Sequence, residues 1–371
     1  MIGNATFATL LALAGPALAI PAFFQAEVPL WLAGLPLLGG IWAGTRLARA
    51  AAMFGWLAVP AAVSAIGLTG IGHAPELVWP GAAAVVVSIA CVAACTGLLP
   101  ATFLLALVPF FPASPLAALA DVVPGTGIGG LCLVAAALAW VELLPSFRGR
   151  CLLAVLVALA AVNWTEFEGF RSPPSPWAEL PEPPGLTERG RWIAIRDSLP
   201  EGSAAVLGEA VFHAGDASAL DFWCRAAAAK DLTLFVGVTE TSDGADRGAV
   251  WRLDRETCRV GSTPGVAARA RLGIPGITGD WRPMPFVEPG AAGPHFLICL
   301  EGFLPWSWAR LLASGAERDV VVLSNDGAFG ALPVAVLRRK AAGALAALLK
   351  RGIAHAETGR TLLVRAEGAP E

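Results

Sequence analysis

The first 165 residues carry very few charges, and this feature constrains the fold more than any other. The charged residues in this stretch are Glu27, Arg46, Arg49, Glu76, Asp121, Glu142, Arg148 and Arg150. Long apolar runs separate them. Over the whole chain 15% of residues are charged, against about 25% in a typical soluble domain. Most of the remaining charges follow Glu166. We therefore expect a membrane-embedded first half and a water-exposed second half.

Six or seven apolar runs are candidates for transmembrane helices, which need about 20 residues each. They lie at residues 5–24, 28–45, 48–70, 79–97, 99–113, 125–146 and 149–164, the fifth and seventh being marginal in length. Two short loops contain arginines, Arg46 with Arg49 and Arg148 with Arg150, and positive short loops stay in the cytoplasm. An even number of crossings separates these loops, so the chain after the seventh span is predicted to be periplasmic.

Three domains follow from this pattern: a membrane domain at residues 1–164, a linker at 165–186 and a periplasmic domain at 187–371. The linker is rich in proline, which favours an extended, semi-rigid backbone. Trp177 within it is predicted to anchor at the membrane surface. In the last domain, residues 333–356 are predicted to be helical. The cationic face of that helix is either solvated or bound to anionic lipid.

A short stretch around Cys299 suggests chemistry. Residues 296–298 form an apolar run typical of a buried strand, and Cys299 follows directly. A second buried strand, at 320–323, leads into a polar turn that contains Asn325 and Asp326. Sites in layered α/β proteins are often found where strands end. Alternatively, Cys299 is a small buried hydrophobic residue with no reactive role.

The motifs Ile298-Cys299-Leu300-Glu301 and Ser324-Asn325-Asp326-Gly327-Ala328-Phe329-Gly330 resemble the nitrilase, or carbon–nitrogen hydrolase, superfamily, and above all its membrane-bound apolipoprotein N-acyltransferases. The whole chain is also similar to plasmid conjugal-transfer proteins that join a multi-pass membrane half to a nitrilase-like half. The resemblance implies a multi-pass α-helical membrane domain followed by an α/β nitrilase-like α-β-β-α sandwich domain, located in the bacterial inner membrane.

The resemblance also implies a set of site residues. Cys299 is the nucleophile, Glu209 the general base and Glu301 a further functional acid; Gly208 stands where the family has proline. The amide N–H of Leu300 is a plausible oxyanion donor, and Asn325 and Asp326 belong to the second motif. The implied reaction is acyl transfer or amide hydrolysis through a Cys299 thioester, which needs no cofactor and no metal.

The catalytic lysine of the family is missing. Aligned on Pro275, its position holds Ala270, between Arg269 and Arg271. Neighbouring strand residues point to opposite faces, so neither arginine directly replaces the amine. Guanidinium is also a poor proton shuttle because it stays charged, although it could stabilise a thiolate or an oxyanion. Whether the domain is catalytic is therefore open.

The sequence leaves three interpretations of the function open. The domain is either catalytic, acting on a lipid-linked or peptide substrate, or a non-catalytic assembly or cell-surface factor of the mating apparatus. A transporter is a weaker alternative, because the apolar half shows no buried charge pair in its sequence. We expect membrane lipid and the conjugation machinery as partners. A net charge of −3 gives no reason to expect nucleic-acid binding. Cys224 and Cys258 could pair in an oxidising compartment, but no pattern places them together.

Overall fold

The computed structural model describes most of the chain in two compact units. Described residues are 4–25, 28–70, 74–107, 115–143, 155, 158, 175–181, 186–242, 245–258, 265–269, 294–298, 307–308, 319–324, 334–357 and 360–364. The helical unit comprises residues 1–173, 303–315 and 328–351, and the sheet unit comprises 174–302, 316–327 and 352–371. The predicted limits at 164 and 186 remain predictions.

The described part of the helical unit is made mainly of helices. Their bounds are α1 Asn4–Phe24, a 3₁₀ helix Leu30–Gly34, α2 Leu35–Ala43, α3 Arg46–Gly70, α4 Pro75–Thr96, α5 Leu98–Leu107, α6 Pro115–Val122 and α7 Gly127–Leu143. Of these, α1, α3 and α4 are long and apolar enough to cross a membrane, and α6 with α7 adds a fourth span if this pair, bent by 107°, counts as one. The N-terminal region is therefore helical, with about three candidate membrane spans.

Three predicted spans, 5–24, 48–70 and 79–97, coincide with α1, α3 and α4. The run at 28–45 is instead a 3₁₀ helix followed by the nine residues of α2, which is too short to cross a bilayer. The run at 125–146 contains α7. Residues 108–113 and almost all of 149–164 lie outside the described residues. A count of six or seven spans remains a prediction.

Small residues allow α1 and α3 to pack closely. A Cβ atom added at Gly15 would lie 2.5 Å from the backbone of Gly55, so only glycine fits at this crossing. Small residues at helix crossings are typical of membrane bundles, because they let two backbones approach and gain van der Waals contact. Phe23 and Trp56 add an edge-to-face ring contact, with centroids 5.5 Å apart, between the same two helices.

A helix from the C-terminal part of the sequence, α10 Val334–Leu348, belongs to the helical unit. The ammonium of Lys340 donates hydrogen bonds to the carbonyl oxygens of Ala22, at 2.6 Å, and Val28. The side chain of Arg338 is 1% exposed. A solvated cationic face is therefore wrong for these two residues, because both are taken up by the packing of the unit. The predicted helix also ends early, since residues 353–357 form a strand.

The described residues of the sheet unit form one nine-stranded mixed sheet with the order β5-β4-β3-β2-β9-β8-β7-β6, and β1 pairs with β9 from outside this path. The strands are β1 Trp177–Pro181, β2 Ala204–His213, β3 Thr233–Ser242, β4 Ala245–Leu253, β5 Gly265–Arg269, β6 His295–Ile298, β7 Val320–Ser324, β8 Ile353–Glu357 and β9 Arg360–Val364. Two helices, α8 Glu188–Ser198 and α9 Ala217–Lys230, belong to the same unit.

Alternating residues of the strands pack into two separate hydrophobic cores. In β3, Leu234, Val236 and Val238 pack with α8 and α9, whereas Phe235 faces the opposite side. That second core combines residues from both ends of the sheet path, and the rings of Phe235 and Phe296 are 5.2 Å apart although β3 and β6 are not neighbours. The sheet therefore folds back on itself into two layers, with helices on one outer face.

Strand β1 lies inside the predicted linker. Trp177 is 8% exposed and packs in the core between the two sheet layers, so its predicted role as a membrane-surface anchor is wrong. The physical reason is that β9 offers an unpaired backbone edge, which the extended proline-rich segment satisfies from Trp177 to Pro181. Residues 165–174 and 182–185 of the linker lie outside the described residues.

A disulfide joins Cys224 in α9 to Cys258 in the turn after β4, with their Cα atoms 5.2 Å apart. Both residues pack against the core between the sheet and helices α8 and α9. The sequence had left this pairing open. The bond ties a helix to the strand layer beneath it.

Candidate functional site

Several parallel strands of the sheet unit end at one edge. Strand β2 is parallel to β3, and β6, β7 and β8 are parallel to one another. Because β9 is antiparallel to both β2 and β8, these two strands run in the same direction. Strand β5 is antiparallel to β4, which is antiparallel to β3, so β5 also runs in this direction. The carboxyl ends of β2, β5, β6, β7 and β8 therefore share an edge.

Except for Glu209, the residues predicted for the site come at or just after these strand ends in the sequence. Cys299, Leu300 and Glu301 follow Ile298, the last residue of β6; Asn325 and Asp326 follow Ser324 of β7. These five residues lie outside the described residues, as does Arg271. Arg269 is the last residue of β5, and Glu209 lies in β2. For these two, the structure describes the backbone alone. The predicted side-chain contacts of the site are therefore untested, but the strands that lead to it are arranged as one edge.

A bulge interrupts β2 at the predicted base. Leu207 is opposite Val236, and the next pair is Phe212 with Val238, so β2 contains extra residues between Leu207 and Phe212. Gly208 and Glu209 are among them. Bulges of this kind bend a strand and redirect its side chains, and they are common beside active sites. The glycine at 208, where the family has proline, suits such an irregular backbone.

The same edge contains buried polar residues that the sequence did not single out for the site. Ser324 is fully buried and Glu357, at the end of β8, is 5% exposed. The register places Ser324 directly opposite Glu357, and Glu357 opposite Arg360 of β9. No sequence signal indicates this placement, because residues 333–356 are predicted to be helical and the position of Glu357 depends on the pairing of β8 with β7. A buried carboxylate is costly unless it has partners or a function.

A buried ion pair in the helical unit contradicts the sequence-based statement that the apolar half contains no such pair. The guanidinium Nε of Arg49 in α3 lies 3.3 Å from the carboxylate of Glu142 in α7. That carboxylate also accepts hydrogen bonds from the backbone N–H groups of Leu98, at 2.6 Å, and Leu99, at 3.2 Å, at the start of α5. The statement that the apolar half contains no buried charge pair is therefore wrong. The sequence concealed the pair because its members are 93 residues apart.

Among the described residues, no group of three or more His, Cys, Asp and Glu side chains could hold a metal ion. Compared with known proteins, the chain matches no family model, and no curated relative is detected. The resemblance to the nitrilase superfamily therefore depends on the short motifs of the sequence.

Proposed function

We propose that this chain is a multi-pass inner-membrane protein of the TraB type, acting in plasmid conjugal transfer, whose C-terminal half is a periplasmic nitrilase-like domain. In this proposal the domain forms a thioester between Cys299 and an acyl group from a lipid-linked or peptide substrate. It then passes the acyl group to an amine or to water. Membrane lipid and the conjugation machinery are the proposed partners.

The observation that carries the proposal is the shared edge. Segments 269–271, 299–301 and 325–326 come at or after the carboxyl ends of β5, β6 and β7, and residue 209 lies within β2, which runs in the same direction. Strands that run in one direction end at the same edge of a sheet, and such edges are where sites form in layered α/β proteins, which supports a site assembled from these segments. The two sheet layers and the helices on one outer face match three layers of the proposed α-β-β-α sandwich.

The proposed chemistry assigns one role to each group. Glu209 takes the proton of the Cys299 thiol, and the thiolate attacks the acyl carbonyl. The N–H of Leu300 holds the oxyanion of the tetrahedral intermediate. When the intermediate collapses, the bond from the acyl carbon to the leaving oxygen or nitrogen breaks, and Glu209 returns the proton to the leaving group. An amine or water then gives a proton to Glu209 and attacks the thioester; the bond between the acyl carbon and sulfur breaks, and the proton passes to the Cys299 thiolate. By the same resemblance, Glu301 is a further functional acid, and Asn325 and Asp326 are assigned to substrate or oxyanion binding.

The proposed periplasmic location has two supports. Disulfides persist in oxidising compartments, and the bond between Cys224 and Cys258 lies in the sheet unit. Arg46, predicted to lie in a loop, is the first residue of α3, and together with Arg148 it favours a cytoplasmic side for the span ends beside these residues. Arg49 contributes less to this rule than its sequence position suggests, because its charge is paired with Glu142.

The second candidate is a non-catalytic assembly or cell-surface factor that keeps the fold and binds a partner in the former active site. The observation in its favour is Ala270, which stands where the family has its catalytic lysine. Without an ammonium beside it, a thiol that faces carboxylates is a weaker nucleophile at neutral pH.

Replacing Cys299 by alanine separates the two candidates. We expect the variant to lose the thioester that a labelled acyl phospholipid forms with the wild-type protein, and to reduce conjugation efficiency. Cys132→Ala is the matched control, because Cys132 is a free, exposed thiol of α7. If the wild-type protein forms no adduct and Cys299→Ala conjugates normally, the enzyme is refuted. A gain of acyl-enzyme in Ala270→Lys would show that the missing ammonium limits the reaction.

A further inference from the structure

A cavity lies inside the helical unit, where its short helices meet. Its walls come from the 3₁₀ helix and from α2, α5, α6 and α7, and its volume is about 70 Å³. Helices α2, α5 and α6 contain nine, ten and eight residues, whereas crossing a bilayer takes about 20. Protein interiors are normally close-packed, with few voids larger than a water molecule. A space of this size between short helices is therefore a candidate binding site.

The walls of the cavity disfavour water as its occupant. Among the described residues that line it, only Trp31 and Thr102 carry a polar side-chain atom. The Thr102 hydroxyl donates its hydrogen bond to the Leu98 carbonyl, 2.9 Å away in the same helix. The side chain of Trp31 has a single N–H donor and no acceptor. The volume would hold several water molecules, but each of them needs about two to four polar partners, so an apolar molecule fits these walls better.

The surroundings of the helical unit indicate which apolar molecule is present in excess. Helices α1, α3 and α4 are long and apolar enough to cross a membrane. Large apolar side chains lie on the outside of the unit, among them Leu77 of α4 and Leu133 of α7, which are 75% and 73% exposed. In a bilayer these side chains contact lipid acyl chains, which are as apolar as leucine. An apolar cavity that is accessible from the same medium is filled from it at no cost in desolvated polar groups.

The exposure of the wall residues indicates the side from which a chain enters. Leu98 of α5 and Leu138 of α7 are buried, at 2% and 4% exposed. Trp31, Leu38 and Leu119, from the 3₁₀ helix, α2 and α6, are half-buried. The cavity is therefore closed on the side of α5 and α7, and its accessible side lies along the other three helices.

Gly34, the last residue of the 3₁₀ helix, borders free space. It lines the cavity, and a Cβ atom added there would meet nothing within 4 Å beyond its neighbours in the chain. Its φ of −79° and ψ of −13° lie in the right-handed helical region, which any L residue adopts. A larger side chain can therefore be introduced at this position without straining the backbone, and it would occupy the cavity.

We propose that this cavity holds an acyl chain of a membrane phospholipid, which enters along the 3₁₀ helix, α2 and α6 and ends against α5 and α7. The inference rests on the membrane location in the proposed function, and it names the place where membrane lipid, one of the proposed partners, is bound. It does not depend on the proposed thioester chemistry, because every wall residue belongs to the helical unit.

The experiment places the full-length protein in phospholipid nanodiscs that contain phosphatidylethanolamine with a diazirine at the end of one acyl chain. After illumination, the labelled residues are located by mass spectrometry. We expect adducts at Leu98 and Thr102, which are 2% and 4% exposed and are reached only from the cavity, as well as on the exposed face of α4 at Leu77 and Val87. The adducts on α4 report contact with the surrounding bilayer.

Substitutions of glycine show whether the buried adducts come from the cavity. Gly34→Leu should lose the adducts at Leu98 and Thr102 and keep those on α4, because the leucine side chain takes the place of the acyl chain. Gly34→Ala adds a Cβ atom alone and should keep both sets. Gly129→Leu is the matched control, since Gly129 is an exposed glycine of α7 outside the cavity where an added Cβ atom also meets nothing within 4 Å.

The outcomes distinguish this inference from the proposed function. Adducts on α4 but none at Leu98 and Thr102 in the wild-type protein would overturn the inference and leave the membrane location standing. Equal labelling of these two residues in wild type and Gly34→Leu, or equal loss in Gly34→Leu and Gly129→Leu, would also refute it. No adducts even on α4 would remove the membrane location together with the inference. A loss confined to Gly34→Leu would uphold the acyl-chain site even if no thioester forms at Cys299.

Discussion

The ion pair between Arg49 and Glu142 predicts a large and asymmetric effect of mutation. The Glu142 side chain is 7% exposed and that of Arg49 18%. Replacing Glu142 by leucine removes the acceptor of the Leu98 and Leu99 N–H groups and leaves the guanidinium buried without its counter-charge. We expect this variant to lose stability in the helical unit, whereas a conservative Glu142→Gln variant should lose less because its carbonyl oxygen still accepts a hydrogen bond.

The magnitude follows from the groups that are left without partners. Removing one member of a buried ion pair costs about 3–5 kcal/mol, because the other charge stays buried. Two backbone N–H groups at the start of α5 lose their acceptor as well, at about 1–3 kcal/mol each where they remain dry. The Glu142 carboxylate also packs tightly against Gly97, where an added Cβ atom would lie 2.9 Å from it, so the neighbouring backbone has little room to rearrange around a leucine. We therefore expect at least about 3 kcal/mol for Glu142→Leu and about half of that for Glu142→Gln.

A double-mutant cycle tests the assignment. The variants are Glu142→Gln, Arg49→Met and the pair together, and unfolding in mixed SDS micelles is followed by circular dichroism at the helix signal. If the two charges form a buried ion pair, adding Arg49→Met to Glu142→Gln removes the guanidinium that would otherwise stay buried without its counter-charge. The double variant should then lose less free energy of unfolding than the sum of the two single variants, by about 1–3 kcal/mol. Strictly additive losses would refute the reasoning, because they would mean that the two charges are solvated separately.

Three more predictions concern the sheet unit. Replacing Cys224 and Cys258 by serine should lower the free energy of unfolding of the sheet unit by about 3–4 kcal/mol, because the bond closes a loop of 34 residues. In the wild-type protein the bond should appear as a mobility shift on non-reducing gels only after export. Trp177→Ala should cost about 3–5 kcal/mol of sheet-unit stability, whereas Trp140→Ala, at a residue 61% exposed, should cost less than about 1 kcal/mol; equal effects would restore the membrane-anchor interpretation. Burial acts to raise the pKa of Asp254, but hydrogen bonds from its own turn and the nearby Arg252 outweigh burial and hold that pKa below the ordinary 3.8. Asp254→Ala should therefore lower the free energy of unfolding by about 1–2 kcal/mol above pH 4. This loss should shrink as the pH falls below 3.8.

Local patterns predicted many elements because each pattern has one structural solution. Apolar runs of 20 residues became α1, α3 and α4, since a backbone in lipid must satisfy its own hydrogen bonds. The strands with alternating burial, such as β3, were also found from sequence. The pattern was misleading at residues 353–357, where alanine-rich sequence reads as helix but the neighbouring β7 provides a ladder of hydrogen bonds.

Contacts between distant segments could not be read from the sequence. The predicted site edge followed from strand ends, a local signal, but Glu357 joins it only through the register of β7 and β8. Trp177 looked like an interfacial residue because its partners in the core lie on β9 and other strands far along the chain. The lysine of α10 likewise looked solvated, since nothing near it in sequence reveals the carbonyls of Ala22 and Val28.

The contacts of the charged side chains in the helical unit indicate what these side chains do in an apolar interior. Glu142 joins α3, α5 and α7, and Lys340 joins α10 to the carbonyls that end α1 and precede the 3₁₀ helix. Asp121 accepts a hydrogen bond from the backbone N–H of Trp31 at the start of that 3₁₀ helix. Each charge therefore meets the end of a short or interrupted helix, where backbone groups lack partners within the helix. A unit with helices as short as α2 and α5 leaves such ends inside an apolar interior, and a small number of charged side chains satisfies them. On this argument the buried charges stabilise the breaks in the helices, and their presence alone does not indicate an ion pathway.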